Sequence, residues 1–114
     1  MATVEECRKA LERLLGRLSE MSPEDRAAHL VDRAISCRVD DLGITFLTRL
    51  GPDGAGPVTE ATGDEPPAQV RFTMKSDVLL AISEDPASIA RAWITGRLKI
   101  EASVFDLLRL RKLL

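Results

Sequence analysis

The chain has 114 residues, 45% hydrophobic and 30% charged, with 18 acids against 16 bases and a net charge of -2. That size suits one domain around one core, spanning residues 1–114, and the composition excludes a disordered tail. The slight acidic surplus, with both signs interspersed, argues against nucleic acid as a partner, because a phosphate-binding face needs clustered Lys and Arg.

Val4, Cys7, Leu11, Leu14, Leu15 and Leu18 recur at helical spacing, and Thr3 with Glu6 makes a capping box, so an amphipathic helix is predicted over residues 4–19. Ser22 before Pro23 opens a short second helix ending near Leu30. The period then changes to two. Ile35, Cys37 and Val39 form one arm of an antiparallel hairpin, Asp40-Asp41-Leu42-Gly43 its turn, and residues 44–50 the other arm. Residues 51–57 hold three glycines and two prolines and read as a solvated, mobile loop, followed by a short edge strand over residues 58–62.

Val70, Phe72 and Met74 alternate with polar residues as a half-buried strand. Ser76 is the expected N-cap of a helix bearing Val78, Leu79 and Ile82, and Asp85-Pro86 repeats the cap-plus-proline signal before Ile89, Ala90, Trp93 and Ile94. Gly96 stops that helix, residues 97–101 alternate again, and Ser103 with Asp106 opens a terminal helix from Val104 to about Lys112. Strands grouped with flanking helices indicate an α+β domain.

Little in the chain suits covalent chemistry. His29 stands alone on a short helix and reads as a surface or boundary residue, while Cys7 and Cys37 carry no nucleophile signature and read as buried thiols. Two isolated cysteines and one histidine do not make a zinc site, and the glycine-rich run lacks the Lys-Ser/Thr of a P-loop. The paired acids Asp40-Asp41 and Asp64-Glu65 lie in turns, where carboxylates are solvated and lack the apolar surroundings that raise a pKa for acid catalysis. The expectation is therefore a protein that is not an enzyme and holds no metal. No stretch approaches the ~20 apolar residues that span a bilayer, and residues 1–6 lack the order of a signal peptide, so a cytoplasmic location is expected.

Residues 70–110, VRFTMKSDVLLAISEDPASIARAWITGRLKIEASVFDLLRL, resemble the second half of a sterol carrier protein type two domain, and the resemblance extends over residues 32–114. Trp93-Ile94-Thr95-Gly96-Arg97-Leu98-Lys99-Ile100 matches the family's aromatic turn, glycine and basic alternating strand. The resemblance implies a five-stranded, mainly antiparallel sheet covered by helices. Between sheet and helices it implies a cavity for sterols, fatty acids or acyl chains, with no catalytic residues and no cofactor. Ala102 stands where the family usually has glycine and Asp106 where it usually has an apolar residue, and the terminal Ser-Lys-Leu peroxisomal address is missing.

On that resemblance the expected partner is a lipid-like small molecule, bound in a cavity walled by Phe46, Phe72, Met74, Trp93, Leu98, Ile100, Val104, Leu107 and Leu108. Each buried methylene is worth ~0.8 kcal/mol, so a ten-carbon chain gains ~8 kcal/mol before the costs of association, without any ionic contact. The competing expectation is an interaction or oligomerisation module of the same fold, its cavity filled by its own side chains.

In the last helix Val104, Phe105, Leu107, Leu108, Leu110, Leu113 and Leu114 project around more than the ~100° of a single core stripe. Residues 97–114 carry five bases and two acids, so the charge is polarised toward this end. Contact of residues 104–114 with an anionic membrane is one expected use of that surface. A homodimer contact, or packing under the first helix, is the other.

Overall fold

The computed structural model describes residues 2–18 and 20–113, the side chains of His29 and Leu113 excepted. The readings made above for the His29 side chain, for Ser19 as the end of the first helix, and for the outward Leu113 and Leu114 lie outside the described residues. Five helices and six strands follow the order α1 (Val4–Leu18), α2 (Pro23–His29), β1 (Arg33–Val39), β2 (Ile44–Gly51), β3 (Gly54–Ala55), β4 (Thr59–Glu60), β5 (Val70–Met74), α3 (Ser76–Glu84), α4 (Ser88–Ile94), β6 (Lys99–Glu101) and α5 (Val104–Leu113).

The sheet has six strands and not the expected five, in the order β3-β2-β1-β5-β6 with β4 also on β2. The extra strand arises at one edge. β3 pairs with Leu50 and Gly51, β4 with Phe46 and Leu47, and the partner register slips by one between Ala55 and Thr59. Both therefore follow the same side of β2 as one edge broken by a bulge, which keeps that edge short and hard to extend. The glycine-rich segment is accordingly more ordered than its composition suggests: Gly56 N–H donates to the Arg49 carbonyl at 2.7 Å and the Thr48 hydroxyl to the Gly56 carbonyl at 3.0 Å. All strand pairs are antiparallel except β1 with β5.

Paired residues share a face of a sheet, and the register sorts the two faces cleanly. Phe46, Cys37, Phe72 and Ile100 form one row across four strands, flanked by the row Ile44, Val39, Met74 and the row Thr48, Ile35, Val70. The opposite face carries Arg38, Arg49, Arg71, Lys99 and Glu101, all exposed. On the apolar face α1 contributes Cys7, Ala10 and Leu11, and α3 contributes Leu79 and Ile82, to one core with Cys37, Val39, Phe46 and Met74.

Local chemistry starts most elements where the sequence indicated. Thr3 Oγ1 accepts from Glu6 N–H at 3.1 Å and Glu6 Oε1 from Thr3 N–H at 3.0 Å, completing the capping box, and Ser22 caps α2 through Asp25 N–H at 3.1 Å. Two expected caps are corrected. Lys75, not Ser76, stands at the cap position of α3, and Ser76 is the helix's first residue, fully buried. Its hydroxyl donates to Asp41 Oδ2 at 2.6 Å and its N–H to Asp41 Oδ1 at 2.8 Å, so the carboxylate that satisfies this helix start comes from the β1–β2 turn. Asp85 ends α3 instead of opening α4: its carbonyl accepts from Ser88 N–H and Ser88 Oγ, forming a turn that delays α4 to Ser88.

The last strand is shorter than expected because Leu98 N–H donates to the Ala92 carbonyl at 3.0 Å, holding the chain against α4 until Lys99. Gly96, at φ +80°, makes the preceding reversal that a Cβ would oppose. Among the described residues no non-glycine has a positive φ, so Ala102 follows β6 without backbone strain.

Candidate functional site

The nine residues expected to wall the cavity divide into two groups. Phe46 is fully buried, Leu98 and Met74 are buried, and Phe72, Trp93 and Ile100 are half-buried against the same core. These six lie together between the sheet and α1, α3 and α4. The other three lie on α5, where Leu107 is half-buried, Val104 is 71% exposed and Leu108 is 51% exposed.

The phase of α5 explains that split. Ser103 Oγ accepts from Asp106 N–H at 3.2 Å, starting the helix, and the Asp106 carboxylate is clamped by Arg33 Nε at 3.1 and 3.2 Å and by Arg109 Nη1 at 3.2 Å. Asp106 is only 6% exposed. Fixing it inward turns Leu107 and Leu110, one and four positions on, partly inward, and leaves Val104, Phe105 and Leu108 on the solvent side. The residue that departs from the family pattern therefore sets which apolar side chains α5 presents to the sheet. Arg33 shares its sheet face with Ile35 and Cys37, so α5 stands over the β1 start, the end of the apolar face that α1 and α3 leave less covered.

Between α4 and α5 lies an open apolar groove of about 360 Å³, lined by Ala90, Trp93, Ile94 and Arg111. Trp93 is the one expected site residue in it. Ala90 and Ile94, four apart with Trp93 between them, were legible as one stripe of α4, whereas nothing in the sequence joined Arg111 to that stripe. A larger hollow of about 440 Å³ sits at the far end of the hairpin among Asp32, Arg49, Leu50 and residues 51–56. It is the less suitable for an apolar ligand despite its size: an exposed ion pair, Arg49 holding Asp32 bidentately at 2.7 and 3.0 Å, and the acid Asp53 stand in its wall beside the glycine- and proline-rich turn.

The titratable groups point away from covalent catalysis. Cys7 and Cys37 are both buried, and burial pushes the Cys37 thiol up to about 12, far from a thiolate nucleophile. The Ser76 hydrogen bonds hold Asp41 below the usual carboxylate range, which makes it an anchor and not the solvated turn acid expected. Glu65 is held down to about 2 by the N–H groups of Thr62 and Gly63, the opposite of what a general acid needs. For Asp106, burial acts to raise the pKa, but the Ser103 and Arg33 hydrogen bonds outweigh it and keep the group below its ordinary value. Among the described residues no group of three or more His, Cys, Asp or Glu is placed to hold a metal ion, and no helix is long and apolar enough to cross a membrane.

The SCP-2 sterol transfer family matches residues 11–114. Among solved structures, sterol carrier protein 2 like 2 from Aedes aegypti superposes with a TM-score of 0.64 at 13% identity, over 96% of this chain and 97% of that one. Sterol carrier protein 2 from Aedes aegypti in complex with the C16 fatty acid palmitate gives 0.62 at 16% identity, over 99% and 96%. The UbiJ-SCP2 ubiquinone synthesis protein gives 0.63 at 13% identity, over 90% and 88%. At such identities the likeness to these structures is one of fold. No curated protein matches the sequence.

Proposed function

Because this chain belongs to the SCP-2 sterol transfer family, we propose that it binds one lipid-like molecule reversibly, with no covalent step, between the apolar sheet face and the helices α4 and α5. The observation that carries this reading is the apolar groove at Ala90, Trp93 and Ile94, of ligand-site size, whose Trp93 wall also packs against the core. The Aedes aegypti relative in complex with palmitate has the same fold, which favours an acyl chain among the candidate ligands. Phe72, Trp93, Leu98, Ile100 and Leu107 would line the bound chain. Val104 and Leu108 would join them only if α5 turns or lifts, because both face outward as the helix stands.

A fluorescent fatty acid bound to the protein should be displaced by palmitate or a sterol, with a change in the emission of Trp93, the chain's single tryptophan. Failure of every fatty acid and sterol to displace the probe, with unchanged Trp93 emission, would remove the lipid-binding reading. Transfer to and from membranes, through contact of residues 104–114, extends the same proposal. The competing use of this fold, as an oligomerisation module, draws on one observation: Ile94 and Phe105 are 86% and 75% exposed, as an unpaired interface would be. A dimer whose mass is indifferent to lipid, together with no probe uptake, would favour that use.

A further inference from the structure

The outer side of α4 and α5 combines two features found together nowhere else on the described surface. Ile94, Val104, Phe105 and Leu108 are the large hydrophobic side chains exposed most, at 86%, 71%, 75% and 51%. Val104, Leu108 and Arg111 follow one another at helical spacing on α5, and Arg111 shares the apolar groove with Ile94, so the four belong to one continuous surface. Its charges are of one sign. Arg91 stands one turn before Ile94 on α4, Lys112 one turn after Leu108 on α5, and among the described residues no acid pairs with Arg91, Arg111 or Lys112. The only acid of α5, Asp106, is turned inward and neutralised.

We propose that this α4–α5 face docks on an anionic lipid surface, with Ile94, Phe105 and Leu108 entering the headgroup boundary and Arg91, Arg111 and Lys112 meeting the lipid phosphates. An isologous dimer through the same face would set these unpaired cations against their own copies, whereas a negatively charged bilayer complements them. The groove opens on this face, so a docked protein holds its mouth against the bilayer and a lipid enters without crossing water. This inference rests on the lipid-binding reading for its purpose but not for its test, since docking needs no ligand inside.

The experiment is co-sedimentation of the full chain with vesicles of phosphatidylcholine alone and of phosphatidylcholine mixed with phosphatidylglycerol, at low and high salt. Binding is expected only to the mixed vesicles and should fall with salt. Each exposed base contributes about fivefold to partition, so R111Q/K112Q should bind roughly twentyfold or more weakly. F105A should weaken binding about tenfold, and neither change should alter circular dichroism, since all three side chains are exposed. R38Q, on the opposite sheet face, should bind like the unmodified chain. Equal partition to both vesicle types overturns the proposal, as does binding unaffected by R111Q/K112Q. A solution dimer that F105A converts to monomer, without vesicle binding, assigns the face to a second copy and also overturns it. Vesicle docking that survives while fluorescent fatty acid fails to bind would instead remove the lipid-uptake reading and leave this one standing.

Discussion

The two ends of one sheet face are covered in different ways. Over Phe46, Cys37, Val39 and Met74, α1 and α3 supply Cys7, Ala10, Leu11, Leu79 and Ile82, an apolar seal in which Phe46, Val39 and Leu79 have no exposed surface. Arg8 closes its edge, its guanidinium 5.6 Å above the Phe46 ring and donating to the Val58 carbonyl at 2.9 Å. At Arg33 the cover is α5, and it is anchored by a carboxylate between two arginines while three of its five large apolar side chains among the described ones, Val104, Phe105 and Leu108, point outward. An apolar seal is non-directional and strong over its whole area, whereas a polar latch depends on a few atoms that water and phosphate can also satisfy. A binding domain that must admit a ligand without unfolding needs one end of each kind.

The largest effect expected from this contrast is in the sealed half. Phe46→Ala should cost about 3–5 kcal/mol, because it removes a fully buried ring from a region that cannot collapse around the space. Urea denaturation of this variant and of Leu107→Ala on α5 tests the difference. Equal losses at the two positions would mean that α5 is as firmly sealed as α1 and α3.

Next comes the latch. Asp106→Ala removes the acceptor shared by Arg33, Arg109 and Ser103, and should cost about 1–3 kcal/mol. The loss should be local: hydrogen exchange should speed up along α5 and stay slow in α1 and α3. The same latch responds to pH. Asp106 and Asp41 both have folded pKa values below their unfolded ones, so their stabilisation is complete above about pH 4 and is lost as pH falls through the folded values. Acid titration should therefore loosen α5 and the start of α3 together, with no change between neutral pH and about pH 5 from these groups. Protection of α5 that persists in acid, or in Asp106→Ala, would show that the latch is not what holds it.

A smaller loss is expected at the start of α1. Thr3→Ala removes the hydroxyl that accepts from Glu6 N–H, leaves the residue-3 N–H to Glu6 Oε1, and should cost about 1 kcal/mol, read as a lowered denaturation midpoint. Glu6, held below its usual value mainly by the Thr3 N–H, keeps that bond only while the first turn is in place. A midpoint shift as large as that of Phe46→Ala would mean that α1 depends on its cap more than on its buried stripe.

The same contrast marks what the sequence made legible. Elements with strong local signals stood out: the α1 stripe and capping box, the 35–50 hairpin, and the glycine stop at Gly96 appear within a residue or two of where they were expected. Family resemblance supplied the sheet and its helical cover, and the sixth strand is β3, which pairs with Leu50 and Gly51 inside the segment that composition marked as a loop. What could not be read were links between distant residues. Asp41 to Ser76 spans 35 positions and Arg33 to Asp106 spans 73, and neither leaves a periodic trace. Ser76 looked like a cap because serine before an apolar helix usually is one, yet the buried hydroxyl had a partner arriving from another turn. The phase of α5 was illegible for a related reason: with apolar residues on most of its faces, only the tertiary bond of Asp106 decides which face turns inward.

The smallest expected effect is also the sharpest test of that phase. Val104→Ser with Leu108→Ser replaces two of the most apolar positions of α5, which would cost several kcal/mol if both faced a core. Because both are largely exposed and neither belongs to the core, the double variant should change stability by no more than about 0.5 kcal/mol. Serine is a slightly poorer helix former than leucine, so the small change should be a loss. Chemical denaturation with and without a bound fatty acid separates two states of α5. If the side chains stay outside throughout, the ligand stabilises the variant and the unmodified chain alike. If α5 turns to bring Val104 and Leu108 onto the acyl chain, the free proteins remain equal in stability while the variant gains less from the ligand. A large loss in the free protein would instead place Val104 and Leu108 inside, and with them a different inward face for α5.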